Sequence, residues 1–426
     1  MSDARTDTRS GSSSVHDILF MLWVALIGAD RIDLLGGSGP FILKPFLVLT
    51  PLVLASELLR RHLRGRPIRM TRQSSGFLTL TLLFLAVVAI SVFVSPEMTK
   101  SASRAALLAV DLAGTLSVVI AAGDRHDLDL VFERGAVAGL LIFAAFDALQ
   151  LANLLNAVPD LWRLGSVSVD LVASTYGEIV PRLSGSVADQ NRAGLVLLFY
   201  GWFVGYRPGR GPRWVLLTLA FLLSVATLSR SAAIAGLATF AVLVLERRVR
   251  TVSFGFLFVL SMALSSVALT LVASPATREW VGTALEPFAQ RLSVDEGSSQ
   301  EHVMLIGRGI QEATSSLSRL AIGLGYGSAY TVLQDVFPGN RYASFHSLYV
   351  TIFAETGVFG LLCLLLMFGV PLVRGGPYRA LVAGAAVFNL FYQAQTDPAF
   401  WVILTLAWLT LPPRMGPTGA STAMAG

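Results

Sequence analysis

Apolar runs approaching 20 residues recur along this chain, parted by short polar, glycine-bearing or arginine-bearing connections. A helix of about 20 apolar residues crosses the ~30 Å hydrocarbon core of a bilayer. Read this way, the pattern predicts 12 spans, at 17–32, 41–59, 77–94, 105–122, 136–155, 193–206, 214–228, 232–245, 254–273, 348–373, 378–392 and 400–411. Two polar stretches break the rhythm, 156–190 and 274–345. The expected fold class is all-α: one polytopic membrane helical bundle over 15–411, with a large outward-facing loop. A Ser-rich segment, 1–14, and a Gly-, Pro- and Ala-rich segment, 412–426, read as flexible cytoplasmic tails.

Charge gives the bundle an orientation. Arg60, Arg61, Arg64, Arg66, Arg69 and Arg72 follow span two, and Arg125 and Arg134 follow span four. Arg207, Arg210 and Arg213 follow span six, Arg247, Arg248 and Arg250 span eight, and Arg374 and Arg379 span ten. The short connections after odd-numbered spans hold few positive charges. This positive-inside bias predicts both termini in the cytoplasm and both polar stretches outside. Composition agrees: 54% of residues are hydrophobic and 14% charged, where a soluble protein carries about 25% charge. The pI near 9.6 is then accounted for by the cytoplasmic arginines and calls for no nucleic-acid partner. The one cysteine, Cys363, lies in an apolar run, which excludes a disulfide or a cysteine metal site within the chain. The first span is too long for a cleaved signal peptide.

Candidate chemistry lies where polar residues meet the outward ends of spans. Arg230, in Thr227-Leu-Ser-Arg230-Ser231, sits at the turn between spans seven and eight. A snorkelling anchor and a phosphate clamp both fit an arginine there. His346 opens span ten, where a neutral imidazole can take up a proton. Tyr349 and Phe353 share its helical face, and Glu355 lies nine residues on, near the opposite face. An ionisable residue so deep in a span is a functional candidate or the partner of another helix. Arg182 and Asn191 belong to a polar cluster entering span six, where Arg182 and Arg192 could join one basic outer pocket. Gly323-Leu-Gly-Tyr-Gly327 lacks the context of a nucleotide loop and reads as a turn of close backbone approach. Within the large loop, Val303, Ile306, Ile310 and Ala313 recur at helical spacing, for a helix lying against the bundle or along the membrane. Glu301 and His302 are adjacent, but no cluster has metal-ligand spacing.

In order, Gly323-Leu-Gly-Tyr-Gly327, Ser344-Phe-His346-Ser-Leu-Tyr349 and Ala354-Glu355-Thr-Gly357-Val-Phe-Gly360 resemble the signature of the O-antigen ligase and O-antigen polymerase (Wzy-C-like) superfamily. Thr227-Leu-Ser-Arg230 and Arg182-Leu-Ser-Gly185 through Asn191 resemble its Ser-Arg segment and its earlier outward loop. The resemblance covers 182–360 and the 12-span layout. It implies a GT-C-like membrane glycosyltransferase of the bacterial cytoplasmic membrane, serving polysaccharide and lipopolysaccharide assembly in the cell envelope. Its donor would be an undecaprenyl-diphosphate-linked glycan, and its acceptor a hydroxyl of a glycan, lipid or protein. No cofactor and no metal are implied. His346 would be the base, Arg230 the diphosphate ligand, and Tyr349, Glu355 and Asn191 supporting residues. The family carries a second arginine about 20 residues before the Gly-x-Gly turn. Here His302 stands at that place, with Arg308 two helical turns on, and either could join Arg182 in holding the donor. The competing reading is a multi-span transporter or flippase of lipid-linked glycans. It predicts charges paired at the midplane and helices broken there, and the sequence holds no convincing inverted repeat of such helices.

Overall fold

The computed structural model describes residues 15–36, 42–65, 67–68, 70–123, 127–176, 180–205, 213–246, 297–336 and 344–412. The expected span 254–273, the start of the large polar stretch and nearly all of both tails lie outside these residues. Among the described residues the chain is mostly helical. The helices are α1 Val15–Ala25, α2 Pro45–Leu63, α3 Arg72–Phe93, α4 Met98–Ala122, α5 Leu128–Leu154, α6 Gln190–Gly205, α7 Trp214–Ala226 and α8 Arg230–Leu245. They continue with α9 Gly297–Thr314, α10 Leu317–Ile322, α11 Ala329–Val336, α12 Leu348–Arg374, α13 Arg379–Phe388 and α14 Pro398–Leu409.

Four of these, α3, α4, α5 and α12, are long and apolar enough to cross a membrane, which makes this a membrane protein. Helices α1, α7, α8, α13 and α14 are apolar but shorter. The shortening has local causes. Helix α1 stops at Ala25 because Asp30 and Arg31, which the apolar run would carry into a span, turn aside into buried ion pairs. Helix α13 ends at Phe388, and its expected last turn unwinds to expose the carbonyls of Asn389 and Tyr392.

Side chains of differing size key the helices together. Helix α6 crosses α8 at Gly194, where a Cβ would overlap that of Ala232, and α13 meets α8 at Gly384, beneath Thr239. Small residues at crossings let backbones approach, and such packing matters most where lipid supplies no hydrophobic drive between helices. Around them lies an aromatic core. Phe132 stacks on Phe203 at 5.2 Å and meets Phe20 edge-on at 5.5 Å, while Phe400 and Trp401 form a second edge-on pair at 4.8 Å.

Ion pairs mark one end of the bundle. Arg213 reaches Glu133 at 2.7 Å and Arg379 reaches Glu246 at 3.5 Å, joining the starts of α7 and α13 to the start of α5 and the end of α8. The opposite end carries the polar stretches. The first of these is not irregular, and the chain is not purely helical: it holds short antiparallel strands. Strands β2 (Leu161–Leu164) and β3 (Val167–Asp170) form a hairpin that pairs with β1 (Ile32–Asp33), and β4 (Ser174–Tyr176) pairs with β5 (Val180–Arg182). The hairpin turns on Gly165-Ser166, with Gly165 at φ +63°, the positive angle a two-residue hairpin loop needs.

The second polar stretch folds as α9–α11 against α12. Helix α9 confirms the expected helical spacing, and of the expected residues Ala313 turns fully inward. Leu305, Gly309 and Ala313 pack against the bundle, whereas Val303 and Ile310 are 70% and 45% exposed. Helix α12 is broken at Gly357, which adopts φ +68° and ψ −167°. The break frees carbonyls, and the glycine turn after α10 fills them: Leu324 N donates to Ala354 O at 2.8 Å and Gly325 N to Glu355 O at 3.0 Å. Backbone lies on backbone here, so no side chain fits. A Cβ on Gly323 would strike the Glu355 carbonyl, and one on Gly357 would strike that of Ala321.

Gly357→Ala and Gly323→Ala are therefore each expected to cost about 3 kcal/mol or more, from left-handed backbone strain and overlap together. Gly369→Ala, in open space on the same helix, should be neutral or stabilising by about 0.5–1 kcal/mol. Thermal unfolding of the detergent-solubilised variants checks the contrast, and equal melting temperatures for all three would refute it.

Candidate functional site

Two polar clusters form at the end of the bundle that carries the strands. The first is built where α7 turns into α8. Helix α7 ends at Ala226, Leu228 takes φ +50°, and Ser229 caps α8 by accepting the Ala232 amide. Arg230 is thus the first residue of α8 and is half-buried. A cation at a helix N-terminus opposes the local dipole. The strand β5 brings Arg182 alongside: its Nε donates to Thr227 O at 3.1 Å and its Nη2 to Asn191 Oδ1 at 3.4 Å. Asn191, from the first turn of α6, also accepts the Ser229 hydroxyl at 3.0 Å. Arg182, Asn191 and the Ser-Arg turn, distant in sequence, form one group. Two arginines and the N-terminus of α8 thus meet at this turn, groups of the kind that bind an anion.

Residues that the sequence reading passed over hold this group in place. Asp147 and Gln150, one turn apart inside α5, grip the loop after β5. Asp147 Oδ1 accepts Gly185 N at 2.7 Å, and Gln150 accepts Ser184 N and donates to Gly185 O. Arg31 closes the other side through Ser184 Oγ at 2.8 Å, Val187 O at 3.0 Å and Asp170 at 3.1 Å. A carboxylate and an amide at i, i+3 within an apolar run were the available signal, since such groups in a span need partners.

The second cluster centres on His346. It lies two residues before α12 and adopts φ +53°, uncommon for a residue with a Cβ. Ser344 Oγ accepts its amide, and Leu348 N donates to the carbonyls of Asn389 and Tyr392 at 3.0 and 2.9 Å. The imidazole stacks on that of His302 from α9, with centroids 4.2 Å apart and planes 22° from parallel. Burial first, then the neighbouring His302, pushes His346 down from 6.5 to about 4. At neutral pH the ring is therefore uncharged and can accept a proton. A nearby anion would raise its affinity for that proton.

The other expected residues fall around these clusters. Tyr349 points to α13, its hydroxyl donating to Ala386 O at 2.9 Å. Glu355 is buried, and its Oε1 accepts Ala329 N at 3.0 Å, so it fastens the start of α11 rather than meeting His346. Of the two residues near the place of the family's second arginine, His302 sits against His346. Arg308 is bound to Glu312 at 2.5 Å, and Arg319 takes the other oxygen of that carboxylate. Arg192 does not share a basic pocket with Arg182, because it is held between Asp30 and Asp397. Among the described residues, no three His, Cys, Asp or Glu side chains group as a metal site.

Tyr392 stands near both clusters: its carbonyl accepts Leu348 N beside His346, and its hydroxyl lies within electrostatic reach of Asp189. Asp189 Oδ1 accepts the amides of Asn191 and Arg192 at 2.9 and 3.0 Å. The chain matches no protein-family model and no curated protein.

His346 is expected to titrate well below 6.5 in the ligand-free protein, and His302→Ala should raise its value. Because the unfolded chain takes up this proton first, the contribution to stability is complete above pH 6.5 and falls as the pH drops toward 4. NMR of ring-labelled histidine checks the titration, and a His346 value at or above 6.5 would contradict it.

Proposed function

We propose that this protein is a membrane glycosyltransferase that moves a glycan from an undecaprenyl-diphosphate carrier to an acceptor hydroxyl at the outer face of the bacterial cytoplasmic membrane. The observation that carries the proposal is the meeting of Arg182, Asn191 and Ser229 at the start of α8, headed by Arg230, with the uncharged His346 heading α12 at the same end of the bundle. The order of the glycine turn, the His346 segment and the Glu355 helix, resembling the O-antigen ligase and polymerase signature, supports the same reading. So does the break of α12 against that turn, which gives a physical reason for the spacing of these motifs.

In this proposal the helices form a 12-span, GT-C-like bundle with both termini in the cytoplasm, as the arginines after even-numbered spans favour. The donor's diphosphate binds Arg230 and Arg182 at the N-terminus of α8, and its lipid tail lies along the helices. The acceptor hydroxyl approaches His346, and its oxygen attacks the anomeric carbon. The bond from that carbon to the phosphate oxygen breaks, and the electron pair leaves with the diphosphate. The hydroxyl proton passes to the Nε2 or Nδ1 atom of His346, whose affinity for it rises beside the anion. The guanidiniums meet the charge that develops on the leaving group, where preorganised donors contribute most. His302 keeps the imidazole in its plane. The acceptor is a sugar of a glycan or lipid, or a protein side chain, and the product belongs to the cell surface.

Transfer in reconstituted vesicles from a polyprenyl-diphosphate oligosaccharide tests this. His346→Ala should lower transfer about 10²–10⁴-fold, the usual size of a general-base contribution. Arg230→Ala should lower it about 10²–10³-fold, as loss of one preorganised donor does. Folded variants that transfer at the wild-type rate would sink the mechanism. Donor moved across the membrane but never consumed would replace it with transport.

A further inference from the structure

Four ionisable side chains, two of them fully buried, stand beside the proposed anion site without belonging to it. Asp30 takes Lys44 Nζ at 2.7 Å and Arg192 Nη1 at 2.5 Å, and Arg192 Nε reaches Asp397 Oδ2 at 3.4 Å. The side chains of both carboxylates are fully buried, and that of Arg192 is 12% exposed. Two carboxylates face two cations, and Asp111 and Asp189 lie within electrostatic reach of the same group. Removing one member leaves another buried and unpaired, whereas an apolar replacement of the whole group would serve stability as well or better. Stability is therefore a poor reason for charges here, and direction is a better one.

The direction is set by where the members sit. Asp30 and Lys44 lie between α1 and α2. Asp397 caps α14, its Oδ1 accepting Ala399 N at 3.0 Å. Arg192 stands in the first turn of α6, immediately after Asn191. On a helix, adjacent residues differ by a fixed 100° of rotation, so clamping one fixes the azimuth of the other. Asp189 holds the same turn from the backbone side, through the amides of both residues. Asn191 is thereby aimed at Ser229 Oγ and Arg182 Nη2, its two partners across the proposed site.

We propose that Arg192, clamped between Asp30 and Asp397, is a positioning residue: it sets the rotation of the first turn of α6 so that Asn191 ties Arg182 to the start of α8. The nature of the anion rests on the function proposed above, while the positioning is a property of the fold.

Asp397→Asn tests this, since asparagine still caps a helix but removes one of the two carboxylates that hold Arg192. Arg192→Lys is the second variant; it keeps the charge and loses the planar fork that meets two carboxylates. Hydrogen exchange by mass spectrometry on the full-length protein should show faster exchange in segments 182–192 and 227–232 of both variants, with 350–357 at the wild-type rate. Affinity for undecaprenyl diphosphate should fall about 10- to 100-fold, the scale that a misplacement near 1 Å produces. Unchanged exchange in 182–192 and 227–232, or a uniform rise across the chain, would overturn the positioning role. Wild-type protein that binds no undecaprenyl diphosphate would instead reject the donor reading, and the exchange data would still decide the positioning role.

Discussion

The backbone contact between the glycine turn and the broken helix α12 governs this structure. Leu324 and Gly325 donate to the carbonyls that Gly357 releases, and glycines at 323 and 357 let the two backbones touch. From that crossing the turn reaches outward in two directions. Tyr326 N donates to Ser91 Oγ at 3.1 Å and Ser101 Oγ donates to Tyr326 O at 2.5 Å, docking the turn on α3 and α4. Glu355 fastens α11 from below. With α12 fixed at its break, its first half holds a set direction, and His346 stands at the head of that half. A span that ran unbroken would leave the glycine turn with unpaired amides in an apolar setting, where each such group costs about 1–3 kcal/mol.

Electrostatic pairing divides the molecule. At the end richest in arginine, cations meet Glu133 and Glu246 across helices. At the opposite end, Arg31 and Arg192 are enclosed by carboxylates and carbonyls and serve the framework. Arg182 also donates to the Thr227 carbonyl and the Asn191 amide oxygen, at the turn where Arg230 begins α8. Two arginines meeting at a helix N-terminus are the physical basis for placing an anionic ligand at this turn.

Much of this was legible in the sequence, for reasons that differ by element. The apolar runs of α3, α4, α5 and α12 carry their own evidence, because crossing a membrane demands length and composition. The Ser229 cap and the turn before Arg230 follow from local chemistry. On α9 Ala313 packs as its spacing suggested, while Val303 and Ile310 are exposed and the other inward positions are Leu305 and the sizeless Gly309, which apolar spacing does not pick out. The Gly165-Ser166 hairpin was available from its turn residues and lay hidden inside a stretch read as loop. The His302–His346 stack and the Asp30–Arg192–Asp397 clamp join residues tens to hundreds of positions apart. Nothing local announces such pairings, so the place of Arg192 was beyond the reach of a single sequence.

Equilibrium binding of undecaprenyl diphosphate, with Arg182→Ala, Arg230→Ala and the double variant, tests the central claim most directly. If both guanidiniums hold one anion, each single change weakens binding, and the double change departs from the sum of the two by a measurable coupling, about 0.5–3 kcal/mol for residues that share a partner. Wild-type affinity retained in both single variants, or losses that simply add, would contradict a shared anion site at the start of α8.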